Sequence, residues 1–524
     1  MPPKRGAHAE QQSRARVVAG VHRAICLPAL ASLCVHAACQ AADDQNPDTE
    51  PPAPTAFAAP APQPVLQWGV GNARSFLVPA LEIPSFELLL NRLDHAFEDA
   101  ATYPSPLNNL HANLHRSWVV DNDKFSTNQF LHPLQGSVYQ SLARSAGLNF
   151  WQASAYTFGG SLLWEEAGEN TAPSFNDQVA SGIGGNFLGE PLFRIASLLL
   201  ESGSGSTPGF WRELGAAVIS PGTGFNRLVY GKRFAPVFRS YDPAVFTRVD
   251  LAGTLRSRYH SNINVNADPS APPAQQNYQR AYGSATFTMA YGLPGKPDYS
   301  YDRPFDYFNF EFTADNVNTF ESVFSRGLLV GNSYEAGDSY RGVWGLYGIY
   351  DYIAPNIFRV SNTAAAVGTT GQWWLSHSIA LQGTALTGVG YAGGGVIRGA
   401  GVTASGINGE GLRNYHYGVT PESVLALRLI LGDRAALDAT ARGYYISKLG
   451  ASESTGSETL DTVDVALTVR VFNLHAITIG YSQSSRDGRY VNQPDSQQVV
   501  RTTTIAYTLL GHERFGAVDW RNGS

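Results

Sequence analysis

Cysteine is missing from almost the whole chain. The three that occur, Cys26, Cys34 and Cys39, fall in the first 39 residues, so the remainder holds no disulfide and no thiolate metal site. Charge is scarce as well. Asp, Glu, Lys and Arg make up 15% of 524 residues, low for a soluble enzyme. Past the N-terminus there is no unbroken apolar run of about eighteen residues, which excludes ordinary transmembrane helices. Gly-x-Ser-x-Gly, His-Glu-x-x-His and Walker-type patterns are absent too, so no standard hydrolase, zinc-protease or nucleotide motif is offered.

What the chain does have is glycine and aromatic residues: 53 Gly, 26 Phe and 25 Tyr, a composition common among outer-membrane barrels. The N-terminus accounts for the cysteines. Lys4, Arg5, Arg14, Arg16 and Arg23 precede an apolar stretch, Ala24 to Ala38, and small residues surround Cys39-Gln40-Ala41. This pattern predicts a secretory signal over residues 1 to 41, with acylation at Cys39 as the alternative reading. Its removal takes away five basic residues and one acidic one, so the net charge moves from −6 to about −10 and argues against nucleic acid as a partner. Residues 42 to 80 are Pro/Ala-rich at the start and read as a linker.

Residues 81 to 235 carry helical periodicity. Phe86, Leu88, Leu89, Leu90, Leu93 and Phe97 form one apolar face against Glu87, Asn91 and Asp94. From 236 to 524 the period changes to two. Val463, Val465, Leu467, Val469 and Val471 alternate with Asp464, Ala466, Thr468 and Arg470; Phe308, Phe310 and Phe312 with Asn309, Glu311 and Thr313; Ile477, Ile479 and Tyr481 with Thr478, Gly480 and Ser482. Short turns at Gly432-Asp433 and Phe472-Asn473 contrast with long polar connections at Tyr391 to Asn414, Ser447 to Glu458 and Ser482 to Gln497. Trp373, Trp374, Tyr350, Tyr352, Tyr444 and Tyr445 stand where an aromatic girdle belongs. The predicted fold is α+β: an N-terminal helical domain followed by an antiparallel outer-membrane β-barrel of about twelve strands, each of roughly nine to eleven residues. A soluble β-sandwich would alternate too, but the export signal and loop asymmetry favour the barrel. Residues 512 to 524 follow Leu509-Leu510, so the chain either lacks a terminal aromatic assembly signal or folds its tail back.

The polar residues concentrate between Asp121 and Arg194. Asn128, the His132-Pro133 pair with Gly136 and Tyr139, Ala143-Arg144, Gly160-Ser161 through Trp164-Glu165, Gly168-Glu169, Pro173-Ser174, Asn176-Asp177 and Gly189-Glu190 form one long pattern. That pattern, over roughly residues 115 to 232, resembles a bacterial envelope family, domain of unknown function 3943. More distantly, its order of Asp-Lys, His, Gly, Glu, Pro-Ser, Asp and Gly is similar to VanZ-like membrane proteins. The resemblance implies an envelope location in a Gram-negative bacterium and no particular activity.

Each polar residue has a structural reading. Ser174 and Asp177 sit at capping-box spacing, Glu190 and Arg194 at ion-pair spacing, and Gly185 and Gly189 one turn apart let another backbone approach. The chemical reading joins His132, Glu165 or Glu169, and Asp177 from three helices, with histidine as general base and a carboxylate fixing its tautomer; two carboxylates and a histidine also suit a divalent metal, although no metal or other cofactor is expected. Three functions follow. The first is a barrel with a helical plug or cap, serving transport, lipid handling or envelope integrity with outer-membrane lipid around it. The second is an envelope lipid or glycan hydrolase built on His132. The third is a scaffold whose helices bind a periplasmic protein. Lumen-filling helices favour the first, an open pocket at His132 and Asp177 the second, and an exposed apolar helix face the third.

Overall fold

The computed structural model describes residues 74–98, 100–121, 123–202, 208–234, 238–261, 280–317, 320–354, 358–396, 415–449, 456–490 and 495–521. The expected signal segment, and the expected linker as far as residue 73, lie outside them.

Twelve strands alternate their side chains between two faces: β1 Val245–Ser261, β2 Arg280–Tyr291, β3 Phe308–Asp315, β4 Ser322–Ala336, β5 Tyr340–Ile353, β6 Phe358–Trp374, β7 Ile379–Val396, β8 Tyr415–Leu431, β9 Ala435–Ile446, β10 Gly456–Phe472, β11 His475–Tyr490 and β12 Ser496–Leu510. Each pairs antiparallel with its neighbours in sequence, and β1 pairs back onto β12, so the sheet closes into a barrel without a free edge. Many strands are longer than expected. β11 and β12 consume most of the stretch assigned to a loop at Ser482 to Gln497, and β7 runs to Val396 inside the expected glycine-rich loop.

One barrel end carries the tight links 337–339, 375–378, 432–434 and 473–474, with Gly432 at φ +63° in one of them. The opposite end carries the long links, including 262–279 and 397–414. An exception is 292–307, which lies at the short-turn end and folds against β4, where Phe305 N donates to Leu328 O at 2.6 Å.

The expected alternation resolves into lumen and exterior. Asp464 and Ala466 line the lumen, whereas Val463, Val465, Leu467, Val469, Ile477, Ile479 and Ile505 stand exposed on the outer wall. Of the six expected girdle aromatics, Trp373 and Tyr445 are exposed on that wall. Trp374 and Tyr444 face inward, and Tyr350 and Tyr352 are covered by helices.

The helical region comprises α1 Leu77–Phe97, α2 Pro106–Asn113, α3 His132–Ser145, α4 Phe150–Leu163, α5 Phe175–Val179, α6 Gly185–Glu201, α7 Phe210–Ile219 and α8 Pro221–Tyr230. α1 begins within the expected linker, because Pro79 falls in the first helical turn, where proline needs no hydrogen bond. These helices do not enter the lumen. The lumenal cavity is lined by strand residues and their connections, and the helices instead pack on the opposite face of the wall. Phe130, Phe150, Phe187 and Ile195 form one core with the outward residues Phe287, Met289, Tyr291, Phe308, Phe310, Val323 and Tyr350. Phe187 rests where a side chain on Gly348 would stand, since a Cβ there would come within 2.5 Å of its ring. The expected plug is thus replaced by a helical wing on the outer wall. The reason is in the wall itself: under the wing, the outward side chains of β2–β5 are dominated by aromatics, whereas the lumen offers threonine, arginine and carboxylates.

Among the described residues, the segment that enters the barrel is the stretch after β12. Residues 512 to 521 turn back into the short-turn mouth, where Phe515, Ala517 and Val518 pack against the inward Phe246, Ala290, Trp374, Ile430 and Leu510. Gln372 clamps the backbone of Val518, accepting from its N–H at 2.9 Å and donating to its carbonyl at 2.6 Å, and Gln382 donates to Gly516 O at 2.9 Å. The tail therefore folds back, the second of the two readings above.

Because the sheet closes on itself, the protein should migrate in dodecyl sulfate as a compact band without heating and more slowly after boiling. Identical migration under both conditions would count against the closed barrel.

Candidate functional site

The polar residues of the wing fall into two buried networks, each ending on the barrel. The first surrounds the start of α5. Ser174 caps it: its Oγ accepts from Asp177 N at 3.1 Å and donates to Asp177 Oδ2 at 2.5 Å. The reciprocal capping bond comes from elsewhere, since Glu165 Oε2 accepts from Ser174 N at 2.7 Å. Asn176 donates to Asp177 Oδ1 at 2.9 Å and to the Tyr417 hydroxyl of β8 at 3.1 Å, and its Oδ1 accepts from Asp121 N at 2.7 Å. Asn128 donates to Asp121 Oδ2 at 2.9 Å. Gln129 donates to the same Tyr417 hydroxyl at 2.8 Å, while Tyr350 of β5 donates to Gln129 O at 2.6 Å.

Burial raises both Glu165 and Asp177 well above the usual carboxylate range, reinforced by Asp177 acting on Glu165 and by Asp121 acting on Asp177. Glu169 is raised from 4.5 to about 7 by burial, with Thr171 and His132 pulling against the rise. Burial lowers His132, against the pull of Glu169, Asp121 and Asp123. His132 Nδ1 is buried without a hydrogen-bond partner, and among the described residues no carboxylate hydrogen-bonds to this ring. The expected His132–carboxylate pair is not formed as a hydrogen bond, and His132 and Asp177 do not line the lumenal cavity or the groove between α1 and α4. Among the described residues there is no cluster of three His, Asp or Glu suited to a metal.

The second network centres on Glu190. It takes two bonds from Arg144 (2.7 and 2.9 Å) and one from Arg194 (3.0 Å), with all three side chains essentially buried. Glu190 and Arg194 are paired as their spacing implies, but neither is the other's sole partner. Arg194 also reaches the barrel, donating to Asp306 Oδ1 at 2.9 Å and Pro304 O at 2.6 Å. Burial would raise Glu190, yet Arg144 and Arg194 outweigh it and hold the carboxyl below its usual range. Glycines make the approach possible. A Cβ on Gly136 would stand 2.1 Å from Ser181 O, and one on Gly189 would stand 2.9 Å from Gln140 Cβ. Tyr139 is fully buried edge-on to Phe86, and Trp164 packs over Gly168 and beside Tyr103.

The residues that sequence reasoning missed are barrel partners: Asp306, Tyr350 and Tyr417. Aromatic and acidic residues are common near strand ends, and nothing local marks these three.

Residues 117–222 match the family described as Domain of unknown function (DUF3943), within the stretch that carried the resemblance. Comparison with curated proteins gives no match. Among solved structures the chain is similar to the NanC porin (9% identity, TM-score 0.25, covering 49% of this chain and 98% of that one). It is also similar to the Pseudomonas putida toluene transporter TodX (10%, 0.20, 52% and 90%) and to the translocator domain of the Neisseria meningitidis autotransporter NalP (14%, 0.21, 50% and 87%). The closed barrel here stands on its own strand register.

Two predictions follow from the networks. Glu190→Ala leaves the buried Arg144 guanidinium without a carboxylate, while Arg194 keeps Asp306, and should cost about 3–5 kcal/mol, whereas replacing Glu190 and Arg144 together by methionine should recover much of that loss; urea midpoints of the heat-modifiable form read both. Glu169 has a raised pKa, so its contribution to stability is complete below 4.5 and is lost as pH climbs through about 7. Glu169→Gln should flatten that fall, and an unchanged pH profile would remove Glu169 as its source.

Proposed function

We propose that this chain is an outer-membrane barrel that handles a small polar solute in a lumenal chamber, with its own C-terminal tail as the stopper at the short-turn end. The observation that carries this reading is the chamber itself, a cavity of about 380 Å³ in the barrel interior. Its wall mixes apolar side chains with charge pairs, Arg248 with Asp250 and Asp438, Arg428 with Asp438 and Arg442 with Asp464, and with threonine and serine hydroxyls between them. Paired charges and hydroxyls suit an uncharged or zwitterionic solute better than a strongly charged one. Toward the long-loop end Phe324, Ile353, Phe358, Tyr444 and Leu460 form an apolar cluster on the inner face of the barrel. The exposed apolar outer wall supports the membrane setting, with the short turns on the periplasmic side.

Catalysis at His132 has less support. Glu165 and Asp177 are engaged in capping the start of α5, and neither cavity reaches His132.

The test is access to the chamber. Thr440 lines the cavity, so Thr440→Cys, in a chain with Cys26, Cys34 and Cys39 replaced, reports entry of a hydrophilic thiol reagent. Truncation after Gly511 should raise its reaction rate strongly while the barrel stays heat-modifiable. Equal rates with and without the tail would sink the stopper.

The wall sets a second expectation. Leu467→Arg, on the exposed face, should block assembly, since a charge near the bilayer midplane costs roughly 2–4 kcal/mol; Ala466→Arg, which points into the chamber, should assemble. Equal harm from both would mean that the wall does not separate lipid from lumen.

A further inference from the structure

The helices of the wing are inverted with respect to water. On α1 the residues turned inward include Glu82, Glu87 and Asn91 beside Val78, Pro79 and Ile83, while Leu81, Leu88, Leu89, Leu93 and Phe97 are exposed. α4 buries Thr157 and Ser161 and exposes Trp151, Phe158 and Leu162. α8 buries Thr223 and Asn226 and exposes Phe225, Leu228 and Val229. α7 adds Phe210, Trp211 and Leu214 to the exposed set. Three of these buried polar groups have specific partners: Asn91 donates to Gly168 O at 2.6 Å, Thr157 to Gln140 Oε1 at 3.1 Å, and Asn226 to Leu142 O at 3.0 Å.

Monomeric soluble proteins rarely expose contiguous apolar patches beyond roughly a few hundred Å². Here apolar exposure follows helix after helix and several polar positions turn inward, although Arg92 and His95 of α1 stay exposed. A docking surface for one protein would need one such face; an inversion on several helices calls for an apolar surrounding on several sides. The wing also occupies the height of the wall. It meets Tyr417 and Tyr352 toward the long-loop end, Gly348 midway, and Asp306 and Tyr291 toward the short-turn end. Its exposed face therefore continues the apolar band formed by Leu467, Ile479 and Ile505 on the uncovered sector of the barrel. Between α1 and α4 that face opens a groove of about 430 Å³ lined by Pro79, Ile83, Pro84, Tyr156, Gly159 and Leu163. The Tyr156 hydroxyl is already spent on Phe76 O at 2.7 Å, which leaves the groove floor as hydrocarbon. No helix of the wing is long and apolar enough to cross a membrane by itself, so the barrel supplies the span and the wing lies against it.

We infer that the helical wing is embedded in the bilayer beside the barrel, its exposed α1, α4, α7 and α8 faces in contact with lipid acyl chains and one chain seated in the α1–α4 groove. The inference rests on the membrane reading of the barrel above. The experiment places single cysteines at Leu88, Phe158 and Leu228 in the full-length protein with Cys26, Cys34 and Cys39 replaced. Leu467→Cys is the barrel reference and Asp433→Cys, in a short turn, the aqueous one. Each is labelled with bimane and reconstituted into phosphatidylcholine vesicles with and without brominated acyl chains. Leu88, Phe158 and Leu228 are expected to lose fluorescence to the same extent as Leu467, while Asp433 keeps it. Quenching at Leu467 with none at the three wing positions overturns the inference and leaves the barrel reading intact; a second copy or a protein partner on that face would give this result. No quenching at Leu467 overturns the barrel reading, and the wing inference with it.

Discussion

Closure of the strand ring is the constraint on which the rest depends. With every strand hydrogen-bonded on both sides, the wall has no edge to offer and only two surfaces to present. Each strand residue must belong to the lumen or to the exterior, and the alternation in β2 shows how strict the division is. Thr286, Thr288 and Ala290 line the chamber, while Phe287, Met289 and Tyr291 join the wing core. Anything added to the barrel must match one surface. The tail, with a backbone clamped by Gln372 and Gln382, suits the lumen. The wing, with Phe130, Phe150 and Phe187, suits the exterior.

The buried charges belong to this matching rather than to a catalytic centre. The four buried groups Arg144, Arg194, Glu190 and Asp306 would be costly to bury singly, but together, with the partly exposed Arg303 also paired to Asp306, they compensate one another. Because Asp306 comes from the link between β2 and β3, the network also fixes where on the wall the wing can sit. A purely apolar contact between wing and wall would tolerate sliding; a four-group charge network with directional bonds does not. Tyr417 and Tyr350 do the same for the far end of the wing.

The barrel was legible in the sequence because its signal is relative. Alternation at Val463 to Val471 separates two faces, and a closed ring needs no more information than that. The wing was legible only in part, for a physical reason. The period of α1 correctly distinguishes Leu88, Leu89 and Leu93 from Glu87 and Asn91, but amphipathicity says that two faces differ and not which of them meets the protein. The ordinary assumption, apolar inward, holds where the surroundings are water. The ion pair at Glu190 and Arg194 and the cap at Ser174 were visible because they are local, within four residues. Arg144, forty-six positions away from Glu190, and the barrel partners Asp306 and Tyr417 are products of tertiary geometry, and no spacing rule reaches them.

The same geometry ties the two parts into one folding unit. Taken alone, the wing would leave Arg194 without Asp306 and Pro304 O, and Asn176 and Gln129 without the Tyr417 hydroxyl. Taken alone, the wall would expose Phe287, Phe308, Phe310 and Tyr350 as an aromatic strip and leave the Tyr350 hydroxyl without Gln129 O. A missing polar partner costs more in a dry setting than in water, because no solvent replaces it. The wing thus has a reason to stay attached that is stronger than its apolar contact area: detachment would uncover a guanidinium group and several amides in the place least able to hydrate them.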